Sequence, residues 1–124
     1  MTIALTVAAL VLVGVAAAHS YLGERYILIR LFRRDQLPKL FGGTEFTRRT
    51  LRFAWHLTSL AWLGFAAILV LLARGPLEAA AVGGVVGGTF LVHGLVVLLA
   101  SRGRHLAWIP FLLVGVLTLL AVAG

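Results

Sequence analysis

Three of the four histidines in this 124-residue chain, His19, His56 and His93, fall inside long apolar stretches; His105 sits beside Arg104. Histidine is the side chain whose ordinary titration lies nearest neutral pH, and an ionisable group inside a membrane-grade helix is a functional-site hypothesis by default. Around His56 the residue types form a pattern. Within Thr47–Phe65, Arg49, Arg52, His56 and Ser59 are spaced by three and four, so they share one helix face.

Two cofactor chemistries suit these residues. A b-type haem needs two neutral histidines at matching depth on facing helices, with cations for its propionates; His56 and His93 are the candidate ligands, Arg49 and Arg52 the cations. Gly84 and Gly88 lie nearly opposite His93 on its helix, so they do not clear space for a macrocycle in front of it. A transition-metal site would instead use His19, His56 and His93 with the Glu24 carboxylate, a donor set that suits zinc, iron, copper or nickel. Glu24 follows His19 by five residues, about 140° round a helix, so both aim inward only if the helix bends at Gly23. Pairing Glu24 with Ser20 or Arg25 costs less.

Two further readings need no cofactor. Histidines can carry protons in a small transporter in place of an acid, since no Asp or Glu lies within the core of any apolar span. A neutral histidine can also simply hold helices together by bonding a backbone carbonyl or a neighbouring hydroxyl; Thr89, four residues before His93, is such a partner. His105 reads as a solvated turn residue. No set of residues reads as catalytic. The chain has no cysteine, which removes disulfides, thiolate metal sites and thiol nucleophiles together.

The elements that must position these groups are apolar helices. Apolar residues make up 61% of the chain and charged residues 12%, with a mean hydropathy of +1.06. One soluble domain of this length cannot bury that much apolar surface. Four spans follow, at about 2–23, 51–73, 77–100 and 105–122, separated by a basic loop at 24–50 and two short turns. The first run could be read as a signal peptide ending at Ala16-Ala17-Ala18, but it opens with no basic residue; a retained helix is expected. In the loop, arginines interleave with Tyr26, Ile27, Leu28, Ile29, Leu31 and Phe32, which predicts a helix leaving the membrane and running along its surface until Pro38 and Gly42-Gly43 break it. Thr44 then reads as an N-cap and Thr44–Thr50 as an interfacial lead-in. Gly75 suits a helix end and Pro76 the first position of the next helix. Trp55, Trp62 and Trp108 include candidate interface anchors.

The fold class expected is therefore all-α, an integral membrane four-helix up-down-up-down bundle in one domain, 1–124. The net charge is +7, from 11 Lys and Arg against 4 Asp and Glu. Because the basic residues lie between apolar runs, they point to topology and anionic headgroups rather than nucleic acid. Most lie in loop one, with Arg102 and Arg104 in loop three and only Arg74 between spans two and three. Positive-inside bias puts loops one and three in the cytoplasm, both termini on the other side, and every histidine in the cytoplasmic half; a bacterial inner membrane is the expected location. Gly83, Gly84, Gly87 and Gly88 form two overlapping small-xxx-small pairs, a close-packing surface for a neighbouring span or for a homodimer.

The segment His56-x5-Trp62-x-Gly64 resembles first-helix patterns of bacterial copper-resistance membrane domains and of haem-associated four-helix families. Gly103-Arg104-His105-Leu106 is similar to the Arg-His-Leu turn of succinate dehydrogenase membrane-anchor subunits, where the haem-ligand histidine lies much closer upstream than His93 does here. Each match covers one helix or turn and implies haem without assigning a family. The expectation is a small four-span protein with a histidine-lined site binding haem b or a transition metal. The alternatives are a structural or accessory subunit with no site of its own, and a small transporter.

Overall fold

The computed structural model describes residues 2–124 and is all-helical. Helix α1 covers Thr2–Leu31, α2 Glu45–Arg74, α3 Ala79–Ser101 and α4 Trp108–Ala123. The first three are long and apolar enough to cross a membrane; α4, at 16 residues, is shorter. At 1.5 Å per residue α1 and α2 are each about 45 Å long, more than the ~30 Å of a hydrocarbon core, and α4 is about 24 Å.

The boundaries follow local chemistry. The expected surface helix is instead the last part of α1, which stays helical to Leu31 and then unwinds through Arg33–Asp35. The loop folds back where Phe41 and Gly42 adopt positive φ and Leu40 bridges Gly43, and the Thr47 hydroxyl donates to the Pro38 carbonyl at 2.8 Å. Thr44 does precede α2, but its side chain caps nothing; the first turn is held by Glu45 and Arg49, 2.6 Å apart. Pro76 stays in the connection, and α3 starts at Ala79 after an extended Glu78. Pro110 falls in the first turn of α4, where a missing N–H is harmless.

Helix contacts join sequence neighbours only: α1 with α2, α2 with α3, and α3 with α4. Among the described residues no contact closes α1 onto α4, so the four helices form an open row. Glycine sets the tightest seam. Gly83 faces Val122, Gly87 faces Leu119 and Gly94 faces Leu112, so α3 and α4 run in opposite directions along each other. An open row buries little: Val97 is the one large side chain among the described residues with no exposure, while Ile3, Leu10, Phe65, Leu99 and Leu120 stand out from the surface. A soluble monomer does not present apolar surface on that scale.

Candidate functional site

The groups singled out by type meet mainly at the seam between α1 and α2. Arg52 forks onto Glu24, with Nη2 at 3.0 Å from Oε1 and Nε at 3.2 Å from Oε2. Glu24 Oε2 lies 3.3 Å from His56 Nε2, and His56 Nδ1 lies 2.9 Å from Ser20 Oγ. Ser20 Oγ is 2.8 Å from Ser59 Oγ, which is 3.0 Å from His19 Nδ1. Six side chains thus form one unbroken hydrogen-bonded chain, Arg52–Glu24–His56–Ser20–Ser59–His19, alternating between the two helices. It grades inward: Arg52 is half-exposed, Glu24 and His56 are about one-third exposed, and Ser59 is buried.

Local structure explains the alternation. Ser20 and Glu24 are four apart and bracket His56 from α1, while His19, on the adjacent strip, reaches Ser59. Glu24 therefore does not pair with Ser20 or Arg25; Arg25 donates to the Tyr21 hydroxyl instead. The helix also changes character here. Gly23–Leu28 is a π-helical turn, of a kind that often marks functional positions. Trp55 crosses it: the indole covers Gly23 so closely that a Cβ there would collide with the ring, and Trp55 Nε1 donates to the His19 carbonyl at 3.0 Å. The Trp55 ring stacks on His19 at 4.5 Å and Trp62 meets the same imidazole edge-on at 4.9 Å. These two tryptophans form walls of the site.

The structure does not assemble the two cofactor sites. Among the described residues no group of three His, Asp or Glu side chains could hold a metal ion, because the serines space His19 from His56 and Glu24. For haem, both ring nitrogens of His56 are engaged, at 2.9 and 3.3 Å, and Arg49 and Arg52 are already paired with Glu45 and Glu24. Arg49 also donates to the Ala100 carbonyl, and the Arg52 guanidinium lies over the Phe32 ring. At the head of α2, outside the apolar span, the hydrogen bond from Arg49 holds the Glu45 carboxyl below its ordinary range. No hydrogen bond or ring contact joins His93 to His56 or His19. His93 is buried between Phe90 and Phe111, with Nδ1 donating to the Thr89 carbonyl rather than meeting the Thr89 hydroxyl, and it shares a cavity with Ala61–Ile68, further along α2 than His56.

His105 is not merely solvated. Its ring packs on Phe46 and Phe53, which ties the turn after α3 to the start of α2. The glycine surface divides: Gly83 and Gly87 are filled by α4, whereas Gly84 and Gly88 have nothing within 4 Å. The sequence offered Ser20 only as a partner for Glu24; it instead joins His56 to Ser59.

No protein-family model, curated protein or solved structure matches this chain. The two short resemblances therefore gain no wider support.

Proposed function

We propose that the chain is an integral protein of a bacterial inner membrane, crossing it four times up-down-up-down with both termini outside. The α1–α2 seam is its working site, loading and releasing a proton from the cytoplasmic side. The supporting distribution is that Arg25 to Arg52 hold eight of the 11 basic residues, and Arg102 and Arg104 two more. Short loops carrying Lys and Arg stay in the cytoplasm.

The observation that carries the proton reading is the unbroken chain from Glu24 to His19. Take His56 loaded from the rim and protonated on both nitrogens. His56 Nε2–H donates to Glu24, His56 Nδ1–H to Ser20, Ser20 to Ser59, and Ser59 to the lone pair of His19 Nδ1. When the His56 Nδ1 proton moves onto Ser20, each hydroxyl hands its own proton forward, and His19 ends protonated on both nitrogens while His56 is left neutral. The reverse sequence returns the proton to the cytoplasmic rim. No bond between heavy atoms changes, and after each passage the hydroxyls donate in the opposite sense. Arg52 caps the outer end of the chain, holding the Glu24 carboxylate through two guanidinium bonds. Beyond His19, α1 offers only Thr6 and Thr2 near its start, and the Thr6 hydroxyl is bonded to the Thr2 carbonyl. The chain therefore loads a proton at depth and does not conduct across the bilayer.

Proton uptake after a pH drop, followed with a pH-sensitive dye on protein in lipid nanodiscs, tests this reading. Wild type takes up protons in a phase that Ser59→Ala removes or slows by at least tenfold. The rival reading, an accessory subunit in which the same bonds only fasten α1 to α2, predicts equal uptake by both proteins.

A further inference from the structure

A second feature lies outside this seam. Between α2 and α3 is a cavity of about 170 Å³ whose walls include Ala61, Gly64, Phe65, Val85, Phe90 and His93. Its lining is hydrocarbon except for two residues, and one of these is spent: the Thr89 hydroxyl donates to the Val85 carbonyl at 2.7 Å. The other is His93, only 7% exposed. Its Nδ1 faces the Thr89 carbonyl at 2.8 Å, and a carbonyl only accepts, so the proton of the neutral ring is on Nδ1. Nε2 is then a lone-pair acceptor, and it has no partner among the described residues. That lone pair can accept one hydrogen bond from a donor brought in by a ligand.

We propose that this cavity binds the ring of a lipid-dissolved phenol or hydroquinone, with the ring hydroxyl donating to His93 Nε2. Size selects the ring: a dry apolar cavity of about 150 Å³ accommodates one benzene molecule, and a haem macrocycle is far larger. Aromatic walls suit a flat ring, since Phe90 lines the cavity beside His93. The way in is from the side. Phe65 and Val86, both on the rim, are exposed at 63% and 36%, so in the bilayer the mouth opens on acyl chains and a hydrophobic tail stays among them. An acyl chain alone would fill the volume but leave Nε2 unpaired. This site is independent of the proton chain, with which it shares no residue, and it requires no redox step.

The test uses two probes of one shape, 4-octylphenol and its methyl ether 4-octylanisole, which lacks the donor. Each is titrated into protein in phosphatidylcholine nanodiscs while the ¹⁵N resonance of His93 Nε2 is followed. The phenol should move that resonance saturably and bind at least tenfold more tightly than the ether. Ala61→Leu, which fills the cavity without touching His93, should abolish saturable binding of both; His93→Phe should abolish the difference between them. Equal affinity of the two probes for wild type overturns the proposal, and so does saturable binding that survives Ala61→Leu. A response that rises without limit, as simple partition into lipid would give, overturns it as well.

Discussion

At the scale of single residues, the chain from Arg52 to His19 matters because every inner member is shared. Ser59 serves both Ser20 and His19, so its hydroxyl cannot be removed without leaving two groups short of a partner. Ser59→Ala is expected to cost about 1 kcal/mol, between the average of ~0.6 and the maximum of ~1.7 kcal/mol for single hydrogen bonds between membrane helices, because two bonds are lost. The Thr118 hydroxyl instead returns to the Val114 carbonyl of its own turn, so Thr118→Ala should cost a few tenths at most. Reversible unfolding of the two variants in mixed micelles compares them directly. Part of this was legible in the sequence. Spacings of three and four put Arg49, Arg52, His56 and Ser59 on one face, and the structure keeps them there. Which residues across the seam would meet that face was not legible, because helical periodicity fixes direction around one axis and says nothing of the register between two. His93 shows the same gap: similar depths counted along separate helices placed it level with His56, whereas its cavity lies further along α2.

At the scale of elements, two glycine sites decide how helices sit. Gly23 lets Trp55 lie across the π-helical turn of α1 and fixes His19 from both ring and carbonyl. Gly23→Val should expel the indole, weaken the near-UV circular dichroism of tryptophan and destabilise by about 1–3 kcal/mol, the cost of overpacking a close contact. The sequence pointed to Gly23 as the place where α1 would have to bend for His19 and Glu24 to aim inward together; it held no signal that a tryptophan would lie across it. The second site is the α3–α4 seam. Gly83→Leu collides with Val122 and should lower the midpoint of thermal unfolding, whereas Gly84→Leu, one residue on, meets open space and should leave the midpoint nearly unchanged. Four nearby glycines look equivalent in a small-xxx-small pattern, and only the position of α4 tells them apart. The long helices themselves were readable because runs of about 20 apolar residues have few other solutions.

For the whole molecule, an open row of four helices places the polar chain at one seam and the His93 cavity at the next, with α2 common to both. Orientation gives the chain its direction, and the absence of native cysteine makes orientation easy to measure. Lys39→Cys should react with an impermeant maleimide only from the cytoplasmic face, and Gly124→Cys only from outside; the opposite pattern would turn the chain toward the exterior. What most needs testing, however, is whether Glu24 and His19, at the two ends, belong to one proton network. The ¹⁵N spectrum of His19 in protein carrying Glu24→Gln answers this without touching His19 or either serine. A shared network requires the His19 Nδ1 resonance to shift with that distant change, and the shift to vanish when Ser59→Ala is added. A His19 spectrum identical in wild type and Glu24→Gln would contradict it.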